Sequence, residues 1–226
     1  MPLDILLINP NSSAGTTAMM VEIAAAEAPA GFRIEGRTAQ GGPSMIVNPR
    51  ELEAAAGEVE RSWQQAGTHW AGVIISAFGD PGIERVRAAC RVPVVGIAEA
   101  AMLEASAAGR RFGIATVTPD LVLPIEGRAR ALGLLGAYCG IRLTDGDPRA
   151  LAADPQALEE ALARAVQRCV DDDGAEAVII GGGPLGQAAI GLQRRFAFPV
   201  IAPIPSAMRL LLSRIEAVVA VRAPRQ

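Results

Sequence analysis

The sequence predicts an α/β fold of two similar halves, each a parallel sheet covered by helices, with a cleft between them. Three observations lead there. Short apolar runs alternate with helical patterns along the chain, as strands joined by crossover helices do. Gly72–Met102, GVIISAFGDPGIERVRAACRVPVVGIAEAAM, reads as strand, turn, helix, strand and the start of another helix. Glu176–Met208, EAVIIGGGPLGQAAIGLQRRFAFPVIAPIPSAM, repeats that plan at an offset of 105 to 106 residues: Ile75 matches Ile180, Pro93 matches Pro199 and Met102 matches Met208. A weaker echo, at offset 109, sets Ile5–Asn11 against Ile114–Asp120. The expected first half is 1–98 plus a C-terminal helix, 205–219, and the expected second half is 99–204.

Taken in order, Leu3–Ile8 is an apolar run and a buried strand, broken by Asn9-Pro10-Asn11-Ser12-Ser13. Ser13 is placed to cap a helix over Ala14–Glu27. Phe32–Thr38 is an outer strand. Gly41–Met45 is a flexible connection of the kind that can act as a lid. Asn48-Pro49-Arg50-Glu51 is a strong helix start, with Asn as cap, Pro at the first position and Glu at the third. That helix runs to about Ala66. After the strand Gly72–Ile75, Asp80-Pro81 repeats the cap-plus-proline signal. Pro93–Ile97 is the next strand, and Ala100–Ala108 a helix stopped at Gly109.

The second half opens with the strand Phe112–Thr116, and Thr118-Pro119-Asp120 starts a helix to about Leu132. Ala137–Arg142 is a strand and Asp145–Asp154 reads as a polar loop. Asp154-Pro155 caps a helix to about Val170, on which Leu158, Leu162 and Val166 share a face. Ala177–Ile180 is a strand, Gln187–Arg195 a helix and Val200–Ala202 the last strand. Pro205-Ser206 starts the terminal helix, to about Val219, and Arg222–Gln226 is expected to fray. Strands this continuously apolar suit parallel sheets covered on both faces.

Composition excludes several chemistries. The 226 residues are enough for a substantial core. Mean hydropathy is +0.29, yet no apolar run reaches the roughly 18 residues of a membrane span. Met1–Ile8 lacks the basic start of a signal peptide. A net charge of −3 gives no footprint for nucleic acid. All 21 basic residues are arginine, so no lysine exists to anchor PLP. His69 is the only histidine and precedes its strand, at the wrong end for a site beyond the strand. Serine and cysteine triads therefore lack a base. Cys90, Cys139 and Cys169 show no metal spacing and fit a reducing cytoplasm. The expected partners are a small-molecule substrate and further copies of the chain, with no nucleic acid and no membrane.

Ligands of parallel α/β sheets bind beyond the carboxyl ends of the strands. Those ends are Asn9–Ser13, Ser76–Asp80, Ala98-Glu99, Thr116–Thr118 and Gly181–Pro184. The duplication sets Asn9 against Thr118 and Ala77 against Gly182. The candidate binding residues are Asn9, Asn11, Ser12, Ser13, Ala77, Phe78, Thr116, Thr118, Gly181, Gly182 and Gly183. They offer hydroxyls, amides and backbone N–H groups to a small, planar, anionic or amide-like ligand. Three side chains are candidates for catalysis. Glu99 is a strand-end carboxylate whose pKa burial could raise; the alternative is a buried glutamate bonded to loop N–H groups. Asp80 is either a general base or a helix cap. Ser76 is either a nucleophile or, lacking a base, a hydrogen-bond donor. Asp80 and Glu99 together are also the candidates for a divalent metal.

Three motifs carry a family resemblance: Ile8-Asn9-Pro10-Asn11-Ser12-Ser13, Phe78-Gly79-Asp80-Pro81-Gly82 and Pro93-Val94-Val95-Gly96-Ile97-Ala98-Glu99-Ala100-Ala101. In them the chain resembles the aspartate/glutamate/hydantoin racemase superfamily, and the hydantoin and allantoin racemases most. The resemblance spans nearly the whole chain. It implies two α/β halves with the site between them. It also implies two cysteines as acid and base on opposite faces of a carbon, at positions that here are Ala77 and Gly182. The family's decarboxylases keep one of the two. With neither present, the expected activity is hydrolytic or eliminative chemistry on a cyclic ureide carrying a carboxylate: a hydantoin, or a 2-thiohydantoin that loses its sulfur. The alternatives are racemisation by other acid and base groups, or a silent binding protein.

Overall fold

A computed structural model describes residues 2–222. Two four-stranded parallel sheets organise it. The first contains β1 (Leu3–Asn9), β2 (Phe32–Thr38), β3 (Gly72–Ile75) and β4 (Val94–Gly96), in the order β2-β1-β3-β4. The second contains β5 (Phe112–Thr116), β6 (Tyr138–Leu143), β7 (Ala177–Ile180) and β8 (Val200–Ile201), in the order β6-β5-β7-β8. The two orders are one order repeated, which is the duplication read from the sequence. Register corrects the weaker echo: Ile5 pairs with Gly72 as Phe112 pairs with Ala177, so β1 and β5 correspond at an offset of 107, not 109, which sets Asn9 against Thr116 and not Thr118.

Nine helices flank the sheets among the described residues: α1 (Ala14–Glu27), α2 (Pro49–Gln64), α3 (Ile83–Ala89), α4 (Ile97–Ala105), α5 (Val122–Ala131), α6 (Pro148–Ala153), α7 (Pro155–Asp171), α8 (Gly186–Gln193) and α9 (Pro203–Arg222). Ser13 caps α1, Asn48 caps α2 and Asp154 caps α7, each by accepting a backbone N–H in the following turn. None of these helices is long and apolar enough to cross a membrane.

Three apolar layers hold the molecule together. Ile5 and Leu7 of β1, Ile74 of β3, and Phe112, Ile114 and Ile179 of the second sheet share one central core with α1, α4, α5 and α9. The alternate residues of the first sheet, Leu6, Ile8, Val73 and Ile75, pack outward with α2 and α3. Those of the second, Ala115, Val178 and Ile180, pack outward with α7 and α8. Strands buried on both faces explain the unbroken apolar runs, each large side chain contributing about 1.5–3 kcal/mol. The chain returns through α9 against α1, β3 and β4 of the first half and against α4. Gly72 permits this approach, since a Cβ there would lie 2.7 Å from Leu211.

Four expectations are corrected. The predicted loop Asp145–Asp154 contains α6, capped by Asp147. The helix after Glu99 begins earlier, at Ile97, and α9 begins at Pro203, two residues before Pro205. Asp80 does not cap the helix that follows it: α3 starts at Ile83 behind Gly82. Asp80 sits in the left-handed region, φ 53°, which turns its carboxylate toward the start of α4 instead. The fraying expected at 223–226 lies outside the described residues.

Candidate active site

The carboxyl ends of β1, β3, β5 and β7 meet between the halves around a cavity of about 40 Å³. Asn11, Ser76, Ala77 and Phe78 wall it from the first half, and Thr118, Gly181, Gly182 and Gly183 from the second. Eight of the predicted site residues are thus brought together. Gly183 marks how tightly the halves meet: a Cβ there would lie 2.5 Å from the Ser76 carbonyl oxygen. Four lining residues carried no sequence signal of function, Ile46, Leu52, Leu121 and Ile125, while Met45 and Pro184 fall in the predicted lid and a predicted strand end. The predicted lid, Gly41–Met45, supplies only Met45. An apolar run, Met45-Ile46-Val47, inside an otherwise polar loop was the signal available there.

Hydrogen bonding fixes what the cavity presents. The Asn9 side chain donates to Asn11 Oδ1 at 2.9 Å, and the Ser13 N–H donates to the same oxygen at 2.9 Å. With Oδ1 so engaged, Asn11 is oriented with its NH₂ as the free donor. Thr116 donates its hydroxyl to the Gly181 carbonyl at 2.6 Å. Its one proton is therefore used, and in the 3.3 Å contact with Thr118 it accepts. Thr118 is left with oxygen lone pairs for a ligand N–H. Among the described residues, the backbone N–H groups of Ala77 and Phe78 have no partner.

Other expected site residues serve the fold. Asn9 is buried and braces Asn11, Thr17 and the Ser13 carbonyl. Ser12 ties the neighbouring loop, its N–H donating to Pro43 O at 3.0 Å and its hydroxyl to Gly42 O at 3.2 Å. Ser13 is occupied as the cap of α1. Thr116 is wholly buried behind Gly181 and Thr118. Ser76 lines the cavity, but its hydroxyl donates to Ile8 O at 2.9 Å, which opposes a nucleophilic role.

The two carboxylates lie outside the cavity lining. Asp80 accepts the Ala98 and Glu99 N–H groups at 2.8 Å each, and Arg128 Nε at 2.9 Å. Burial pushes its carboxyl up to about 6, against the opposite pull of Arg128 and the two N–H groups. Glu99 accepts Arg87 at 2.6 Å and Arg214 at 2.7 Å. Burial pushes its carboxyl up, but Arg214 and Arg87 outweigh that and hold it below its ordinary value. This corrects the expectation of a raised glutamate acting as acid and base. Nor does the pair suit a metal, because three arginines already neutralise it. Among the described residues no group of three His, Cys, Asp or Glu is placed to hold one. Cys90, Cys139 and Cys169 are not among the lining residues either.

Comparison with known proteins accords with this architecture. Residues 5–211 match the family model described as Asp/Glu/Hydantoin racemase. A hydantoin racemase of Paenarthrobacter aurescens is 31% identical over 215 residues, covering 93% of this chain and 90% of the relative. The crystal structure of allantoin racemase from Pseudomonas fluorescens superimposes with a TM-score of 0.91 at 27% identity, over 96% of this chain and 92% of that one. Allantoin racemase from Klebsiella pneumoniae gives 0.86 at 28% identity, over 97% and 88%. Two duplicated parallel-sheet halves enclosing a cleft define the class of protein. The chain belongs to the Asp/Glu/hydantoin racemase family.

Proposed function

We propose that this chain is an enzyme acting on a small five-membered cyclic ureide of the hydantoin class, by chemistry that does not pass through a pair of protein thiols. One observation carries the proposal: the cavity is walled by Ala77 and Gly182 and lined by no acidic, basic or thiol side chain. Its polar groups are neutral and complementary to a ureide. The Asn11 NH₂ and the Ala77 and Phe78 N–H groups suit ring carbonyls, and the Thr118 oxygen suits a ring N–H. Met45, Ile46, Leu52, Leu121 and Ile125 give the ring substituent an apolar surround, and no cation is present to hold a side-chain carboxylate. An apolar substituent therefore replaces the carboxylate expected from the sequence.

Racemisation requires a proton acceptor on one face of a carbon and a donor on the other. Hydrolysis requires one water on one face of a polarised carbonyl or thiocarbonyl: its oxygen bonds to the carbon, the C–N or C–S bond breaks, and the water's protons pass to the departing ring nitrogen or sulfide. N–H donors aimed at that oxygen supply the polarisation. With a methyl and a bare glycine at the two walls, ring hydrolysis or loss of sulfide from a 2-thiohydantoin is the reaction this geometry supports best. A silent binding protein is the second reading, favoured by the same lack of titratable groups.

The test is incubation with enantiopure 5-benzylhydantoin and 5-benzyl-2-thiohydantoin. Ring opening or sulfide release supports the hydrolytic reading. A raised melting temperature without turnover supports the binder. Loss of optical rotation with the ring intact contradicts both.

A further inference from the structure

One wall of the cavity is fastened to the other half of the molecule by a buried ion pair. Ile125 lines the cavity from α5, and Leu121 lines it from the turn just before. Arg128 is three residues beyond Ile125 and shares its helix face. Its Nε donates to Asp80 Oδ2 at 2.9 Å, with 11% of the arginine side chain and none of the aspartate exposed. Asp80 cannot follow α5 outward. Its oxygens cap α4 through Ala98 and Glu99, and its Cγ lies 2.1 Å from where a Cβ on Gly96 would sit. Its own N–H donates to the carbonyl of the cavity residue Ala77 at 3.0 Å. The other acidic neighbours of Arg128 are weaker anchors. Glu84 is 3.6 Å away and mostly exposed, and Glu99 is 3.8 Å away and held by Arg87 and Arg214.

Helix α5 is short, and Pro124 in its first turn and Gly127 lower its intrinsic stability, while Ile125 and Ala129 root it in the central core. The cavity is narrow, at about 40 Å³, and Ile125 and Leu121 form part of its wall. Withdrawal of α5 would widen it for a ring. Moving Ile125 out of the cavity takes Arg128, on the same face, away from Asp80.

We propose that the Arg128–Asp80 pair is a latch that holds α5 closed over the cavity, and that ligand entry requires its release. The proposal rests on the cavity being the ligand site, yet its test reads access to the cavity and not turnover. The two can therefore fail separately.

Ala77→Cys places a reporter thiol in the wall, and iodoacetamide is the probe. Modification is followed residue by residue by peptide mass spectrometry. The fully buried Cys169 reports global unfolding in the same sample. Adding Arg128→Met is expected to raise the modification rate of the introduced thiol about tenfold or more and to leave Cys169 unchanged. Arg130→Met, which removes a surface pair with Glu126 on the same helix, is expected to change neither rate. An unchanged rate at the introduced thiol overturns the latch. So does equal acceleration at Cys169, which would mean that Arg128 only holds the fold. Should Arg128→Met fail to fold, Arg128→Lys decides. A faster introduced thiol with Cys169 unchanged supports the latch, and no change overturns it.

Discussion

Ala77 and Gly182 line one cavity from opposite halves of the molecule. They are the two positions at which the family resemblance places the proton-carrying thiols. One carries a methyl and the other nothing. The cavity they line carries no ionisable side chain, and the nearby carboxylates of Asp80 and Glu99 are bound to arginines.

Glu99 is a structural anion, so Glu99→Gln is expected to weaken the fold and not the chemistry. The substitution leaves Arg87 and Arg214 facing a neutral amide. Both arginines are about a third exposed, so the loss is about 1–3 kcal/mol, or several degrees in melting temperature. Turnover or ligand affinity per folded molecule should hold. A large loss of either at unchanged melting temperature would return Glu99 to the reaction.

Asp80 gives a pH signature. Its carboxyl titrates near its ordinary 3.8 in the unfolded chain and at about 6 when folded, because burial disfavours the charge. The folded state therefore holds the extra proton between those values, and this contribution to stability declines as pH rises from about 4 to 6. Asp80→Asn removes the titration. The melting temperature of the variant minus that of the native chain should rise across this range and level off above it. A flat difference would show that Asp80 is ionised throughout.

Much of this was legible beforehand. The 105-residue echo gave two equivalent sheets, and the strand ends contain nine of the cavity residues. The roles of Asp80 and Glu99 were not legible, because their partners are remote in sequence. Arg128 is 48 residues from Asp80, and Arg214 is 115 residues from Glu99. Only the packing of α5 and α9 against the first half brings those charges together. The apolar wall was hidden for a similar reason: Leu52, Leu121 and Ile125 read as ordinary core positions until the halves close on one another.

Gly183 should tolerate no side chain. A methyl there would meet the Ser76 carbonyl oxygen at 2.5 Å and Met20 Sδ at 3.0 Å, and the first of these is backbone that cannot turn aside. Gly183→Ala is expected to cost about 1–3 kcal/mol by prising the halves apart. Denaturant unfolding checks this, and an unchanged midpoint would mean that the halves are less tightly apposed.

Asn11 lines the cavity with its Oδ1 engaged by Asn9 and Ser13, which leaves its NH₂ as the free donor. Asn11→Asp keeps the oxygen that accepts from Asn9 and Ser13 but replaces the NH₂ with a carboxylate oxygen. Affinity for a hydantoin should fall about tenfold to hundredfold, as expected for losing a hydrogen bond and gaining a repulsion. Calorimetric titration reads this directly. Equal affinity would place the ring carbonyl elsewhere.

The central claim is that the missing thiols, and nothing else in the cavity, decide whether a ring carbon exchanges its proton. Its most direct measurement is deuterium uptake at the ring carbon of enantiopure 5-benzylhydantoin in D₂O, followed by NMR. The native chain is compared with the double variant Ala77→Cys and Gly182→Cys. Gly182 has extended backbone that accepts a side chain once Leu185, 2.9 Å from the new Cβ, shifts aside. The native chain should exchange no faster than buffer, and the double variant should exchange measurably faster. Exchange by the native chain above the buffer rate would contradict the account.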